Sequence, residues 1–408
     1  MWITRLALTA IFAGTGALAA SAADQASSGC ARRPNTADVP LPAPIAIATG
    51  DTLRPVSYRI GCDGRVFRVA KTKSPFAAPR DAVFEGNGGA WFAVRHNHLV
   101  IGRERTVLWR SHEQFSSPAH RQIEVGGLTV GKHTVAFTYR DTLYLAPLTG
   151  AERPIASGEI PLGFTTGGVY TYRWKRALLL RSDNGAVLKK IVRWPFQVNF
   201  FQVVGGNLYL IARSVLLRAN GTRILRLAEL RNLGLSASTW LQPIGHLVEL
   251  EDNARLVVVR PDGSVFASTP LPRSDGEPDT ISSFIAVAPH SAAVAFTAAS
   301  GLADAPNTGH PGHGSETIYL LRPGAHAATP VHRELVEFPP CIGEGATLAW
   351  NGSWLLYDGA DSHAAAIDTA SPGRTVELRR IIRGLPGTRD GFAVYWSDQP
   401  LKGGVPGQ

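Results

Sequence analysis

Cysteine is scarce and poorly spaced for metal. Cys30, Cys62 and Cys341 are the only three in the chain, and no CxxC pair occurs. That spacing removes thiolate zinc ribbons and redox dithiols from consideration. Long apolar runs are missing as well. Beyond the first 23 residues no segment approaches the roughly 20 apolar residues of a membrane span. Three further signatures are absent: the Gly-x-Ser-x-Gly elbow, the His-Glu-x-x-His helix motif and the Gly-x-Gly-x-x-Gly fingerprint. Each would have placed a nucleophile, a zinc pair or a dinucleotide on a defined strand–turn–helix unit. The net charge is +9, yet the arginines are scattered and form no tract of the kind that grips nucleic acid. An anionic envelope component remains a suitable partner for such a surface.

The N-terminus has the texture of an export signal. Arg5 is followed by the apolar and small residues Leu6 to Ala20, and Ser21-Ala22-Ala23 offers a small-residue cleavage site. Residues 1–23 are therefore read as a signal peptide, and the protein as exported to the periplasm, the cell surface or the medium. Residues 24–54 carry Pro34, Pro40, Pro42 and Pro44 among Ala, Thr and Asp, which reads as an extended tail or linker. Residues 55–400 form the main domain, and 401–408 a short C-terminal tail. In an oxidising compartment three cysteines permit one disulfide and one leftover thiol, and spacing does not select the pair.

The main domain is a repeated sentence of short strands. Four-to-six-residue runs rich in β-branched, aromatic and leucine residues recur about every 35–45 residues. Second strands (B) are expected at Trp91–Val94, Val135–Tyr139, Val169–Tyr172, Asn207–Ile211, Leu247–Leu250, Ala293–Thr297, Trp354–Tyr357 and Phe392–Trp396. Third strands (C) follow, among them Leu99–Ile101, Thr142–Leu145, Arg255–Val259 and Thr317–Leu321. Asn-Gly or Asp-Gly pairs mark the C–D turns at Asp63-Gly64, Asn184-Gly185, Asn220-Gly221 and Asp262-Gly263. Others mark A–B turns at Asn87-Gly88, Asn351-Gly352 and Asp390-Gly391. Such pairs suit two-residue hairpins because both central positions need positive φ.

The last unit stops after one strand. Its missing hairpin stands near the N-terminus, as Val56–Ile60 and Arg65–Val69. Two ends that complete one repeat imply a ring, so the expected fold is an all-β propeller of eight four-stranded blades, with seven blades as the alternative. The segments Leu178-Leu-Leu-Arg-Ser-Asp-Asn-Gly-Ala-Val-Leu188 and Leu256-Val-Val-Val-Arg-Pro-Asp-Gly-Ser-Val-Phe266 carry the repeat most clearly. Their order of strand, Asp/Asn-Gly turn and strand resembles the repeats of TolB-type and quinoprotein-type bacterial propellers. That resemblance implies a fold, not an activity.

In a ring of this kind the B–C and D–A connections share one face. The residues expected on it are His96, His98, Arg140, Asp141, Trp174, Lys175, Arg176, Arg213, Asp252 and His363, a set suited to a polar or anionic partner. The connection 298–316 is expected to be a long loop, and it brings His310, His313, Glu316 and Asp304 into one stretch. Imidazole and carboxylate together are what a divalent ion asks for. Against this, a Gly/Pro-rich loop does little to hold ligands in place. Gly126-Gly-Leu-Thr-Val-Gly131-Lys132 imitates a phosphate-binding loop but runs into Val135–Tyr139, a strand, so it is read as an A–B hairpin.

The function expected from these observations is non-enzymatic binding of a protein or envelope partner through the loop rim, by a monomer without a cofactor. The alternative is a metal-dependent hydrolase or lactonase of propeller type, with a divalent metal held by histidines and carboxylates.

Overall fold

Ring closure is set by a pairing between the two ends of the chain. In the computed structural model, Phe392–Trp396 runs antiparallel to Ile45–Thr49, with Ile45 opposite Trp396 and Ile47 opposite Val394. Ile45–Thr49 in turn pairs with Val56–Ile60, which pairs with Val66–Arg68. The structure describes residues 41–397 apart from 50–55, 63, 70–82, 85–89, 104–105, 116–124, 174–176, 194–197, 275–276, 279, 282–285, 301–311, 339–346, 360–362, 372–373, 387 and 389–391.

Among the described residues there are eight blades, numbered here in chain order. Blade I spans residues 83–110, II 125–157, III 159–193, IV 198–229, V 240–270, VI 280–338 and VII 347–377. Blade VIII is the composite just described. Each is an antiparallel up-and-down sheet. Seven have four strands; in blade VI the first strand is split into Thr280–Ile281 and Ala286–Val287, both paired to Val294–Ser300. Eight blades is the observed number.

Two details of blade VIII differ from the sequence reading. Phe392–Trp396 occupies the first (A) position, not the second. The B strand is Ile45–Thr49, which lies inside the segment read as a linker. Ile45 and Ile47 are fully buried against Trp396, Ile60 and Leu356, so four alternating Ile/Ala residues and a Thr suffice for a core strand. The preceding prolines obscured them. The Asp390-Gly391 and Asn87-Gly88 pairs lie outside the described residues. Cys62 is disulfide-bonded, and its partner lies outside them too.

The burial pattern explains why strands B and C were legible. Each blade packs both faces against its neighbours, so its middle strands are apolar throughout rather than alternating. Thr134–Tyr139 is buried at all six positions, and Ala364–Asp368 at all five. Outer strands such as Val66–Arg68 and Arg223–Glu229 are largely exposed or half-buried. The larger hydrophobic clusters each fill the seam between two blades. Phe115, Phe137 and Tyr139 join Trp109 at the I–II seam, and Leu247, Phe266, Val294 and Phe296 fill the V–VI seam.

Buried indoles stitch the seams with single hydrogen bonds. Trp109 Nε1 donates to the Gly150 carbonyl (3.0 Å), Trp350 to Ala286 (3.1 Å) and Trp396 to Ala349 (3.0 Å). A buried indole N–H finds a partner because leaving it unpaired costs about 1–3 kcal/mol. Gly131 closes the hairpin between Val125–Val130 and Thr134–Tyr139, so the phosphate-loop look-alike is a turn between two strands.

Candidate functional site: the B–C end of the ring

Up-and-down winding puts every B–C connection at the same end of its blade as the D–A connection. Three B–C turns are two residues long and contain no glycine. They are His96-Asn97 (φ 50° and 65°), Arg140-Asp141 (44° and 63°) and Arg213-Ser214 (49° and 58°). Positive φ at both positions matches the strand twist in a tight hairpin. It costs a non-glycine residue about 1–2 kcal/mol. The C–D turns at the opposite end avoid that cost with Gly64, Gly185, Gly221 and Gly263.

The sequence-expected rim residues separate into three groups. His96, Arg140, Asp141 and Arg213 are exposed on these turns. Arg140 lies over the Tyr139 ring at 5.3 Å, and Asp141 accepts from Ser157 Oγ at 3.3 Å. His98 is half-buried and donates from Nδ1 to the Ser111 carbonyl (2.9 Å). Asp252 and His363, by contrast, are buried and committed inside the fold. Asp252 accepts the backbone N–H of Ser236, Ala254 and Arg255 at 2.8–2.9 Å, which organises its turn. Trp174, Lys175 and Arg176 lie outside the described residues.

A dense polar cluster lies at the same end, in the seam between blades VI and VII. The long loop expected at 298–316 is shorter than read. Strand B of blade VI runs to Ser300 and strand C begins at Gly312, with Ser300 paired to Ser315. Gly312 to Glu316 lacks apolar residues, so the added strand turns left no hydrophobic signal. Glu316 is consequently a buried strand residue. Its carboxylate accepts from Thr297 Oγ1 (3.0 Å) and from the Tyr357 hydroxyl (2.6 Å). His310 and Asp304 lie outside the described residues; His313 is on the same strand as Glu316, paired to Glu337.

Around Glu316 stand residues that the sequence reading did not single out. His332 and Glu334, two apart on strand D of blade VI, share one face and meet at 2.8 Å through Nε2 and Oε1. The other Glu334 oxygen accepts from His363 Nδ1 at 3.1 Å. Arg379, on the short helix after blade VII, donates to His363 Nε2 at 2.5 Å. His363 thus bridges Glu334, through Nδ1, and Arg379. Glu377, at the end of strand D of blade VII, completes the group. One ligand-capable atom from each of His332, Glu334 and Glu377 lies within 4.8 Å of the others. Burial, and then the nearby Glu334, raise the Glu377 carboxyl above its ordinary pKa.

Tyr357 lines this seam, and Asp358 beside it lines the next. Burial and the adjacent Glu316 keep the Tyr357 phenol protonated well above its usual range. A Cβ on Gly359 would stand 1.9 Å from the Tyr357 hydroxyl, so only glycine leaves room for the bond to Glu316. Asp358 turns the opposite way, toward blade VIII, and accepts the Val394 N–H at 3.0 Å. Burial pushes its carboxyl up to about 7.

A second acidic pair occupies the V–VI seam. Leu247, Glu249 and Glu251 alternate along one strand, and Leu247 packs into the V–VI cluster. Glu249 and Glu251 therefore face that seam. Burial, then Glu251, hold the Glu249 carboxyl well above its ordinary pKa; burial and Asp252 push Glu251 up to about 7.

No family model and no curated protein matches this chain. Solved structures do. AztD of Citrobacter koseri, in its apo form, is 12% identical with a TM-score of 0.44, covering 86% of this chain and 97% of that one. Hsv2 of Kluyveromyces lactis is 7% identical with a TM-score of 0.43, covering 68% and 89%. The WD40 domain of SCAP from fission yeast is 10% identical with a TM-score of 0.41, covering 71% and 84%. At such identities a likeness speaks of fold alone, and the propeller assignment rests on the strand order and ring closure above.

Proposed function

We propose that the protein is a non-enzymatic, exported propeller that captures a protein or an anionic envelope component on the B–C/D–A end of its ring. One observation carries this reading. Three blades hold tight B–C turns in left-handed backbone without glycine, and each turn presents an exposed His or Arg. Strain that glycine would relieve persists where the side chain is needed. The net charge of +9 and the leader-like first 23 residues support the partner class and the compartment.

The test is a triple variant, H96A/R140A/R213A, in the chain expressed without a tag. Photo-cross-linking from position 97 reads capture of envelope proteins, and co-sedimentation with anionic vesicles reads the lipid alternative. The variant should lose at least about tenfold in capture, with salt mimicking the loss. Its circular dichroism should be unchanged. Equal capture by both proteins would refute the rim assignment.

A further inference from the structure

We propose that His332, Glu334 and Glu377 form a binding site for a divalent transition metal of the zinc class, at the open end of the VI–VII seam. His332 and Glu334 lie at i and i+2 on one strand, so they chelate from a single face. Glu377 comes from the neighbouring blade. Their donor atoms lie within 4.8 Å of one another, with His332 Nε2 and Glu334 Oε1 at 2.8 Å. Ligands about 2.0–2.2 Å from zinc stand roughly 3.3 Å apart, so small side-chain shifts admit the ion.

Two further features separate this group from an ordinary surface cluster. The free oxygen of Glu334 is already oriented by His363 Nδ1 (3.1 Å), and His363 is itself held by Arg379. Outer partners of this kind fix a ligand before the metal arrives. The second feature is geometric: the carboxylates of Glu334 and Glu377, from two different blades, are brought within 4.8 Å of each other, a pairing of like charges that a cation relieves. Mixed imidazole and carboxylate donors favour zinc over calcium or magnesium, which take oxygen alone. With His332 binding through Nε2, its ring proton sits on Nδ1. Three protein ligands leave one tetrahedral position on the solvent side, beside the exposed Glu377. That position belongs to water or to a donor atom from a bound partner, which makes the ion exchangeable.

Zinc chloride titration of the chelator-treated, untagged chain by calorimetry tests this directly, with calcium and magnesium chlorides as comparators. The expected result is about one equivalent of zinc with micromolar or tighter affinity. E377Q and H332A should each weaken it at least about tenfold, and H363A should weaken it less than either. H310A/H313A should leave it unchanged. Glu377 is exposed, so E377Q keeps the test valid should H332A fail to fold. The proposal is overturned by absence of zinc binding, by preference for calcium or magnesium, or by zinc that E377Q retains and H310A/H313A loses.

Discussion

Replacing both Glu249 and Glu251 by glutamine should make the protein more stable at neutral pH and change little at pH 4.5. Glu249 is buried and Glu251 half-buried in the V–VI seam, and the protonated form suits that environment. A carboxyl whose pKa is higher folded than unfolded lends stability while the pH stays below its unfolded value. That contribution drains as pH rises toward the folded value. For Glu251 the window runs from 4.5 to about 7. A span of about 2.5 pH units at 1.36 kcal/mol each gives about 3 kcal/mol. Glu249 adds to the loss in the same direction, since burial holds it well above its ordinary pKa. Glutamine keeps the shape and can still donate, but it does not ionise. Urea unfolding followed by tryptophan fluorescence at half-unit steps from pH 4.5 to 8 reads the difference between the two proteins. Asp358 and every histidine are common to both and drop out of it. The double variant should gain on the wild type by at least about 3 kcal/mol across the window. A difference that stays flat with pH would refute a buried, proton-holding pair.

Gly359→Ala should break the Tyr357–Glu316 bond, because its Cβ would stand 1.9 Å from the hydroxyl. A loss of about 1–3 kcal/mol in chemical denaturation is expected, with an intact far-ultraviolet spectrum. Arg181→Ala should cost about 3–5 kcal/mol, since Glu159 is buried and held by Arg181 through two 2.8 Å bonds. Full stability in that variant would show that water reaches the carboxylate. Deleting residues 392–408 should leave the Ile45–Thr49 strand without a partner on one side and yield a species that binds hydrophobic dye. A compact, dye-free truncated protein would show that the ring holds without its closing strand.

The strands that pack on both faces were legible because they have no choice but to be apolar. Val135–Tyr139 and Arg255–Val259 could be read directly, and Asn/Asp-Gly pairs fixed the phase of the repeat. Blade VIII was harder. Ile45–Thr49 spells a strand in five residues, but prolines at 40, 42 and 44 gave its surroundings the texture of a linker. Phe392–Trp396 looks like any B strand and becomes an A strand only because of what it meets.

The VI–VII seam was nearly silent. His332-Arg333-Glu334 alternates like an ordinary outer strand, and Glu377 ends another one 43 positions later. No local spacing announces that the two strands face each other. A cluster assembled across a seam is invisible until the ring is closed. His363 illustrates the same limit from the other side. Its loop position points to the rim, while its neighbours in space make it an internal link between Glu334 and Arg379.

The end-to-end closure also has a consequence for how the molecule is made. Within the ring, Ile45 belongs to the first of the described strands to be synthesised and Trp396 to the last. At roughly 5–20 residues per second, the N-terminal three-stranded piece waits on the order of tens of seconds with a raw edge. The slowest search is left until last, because joining distant segments requires the longest loop to close. Throughout that interval the strongest competitor for the vacant edge is another nascent copy of the same protein. Its yield in a cell should therefore depend on how crowded its own synthesis is, more than on how stable the finished ring becomes.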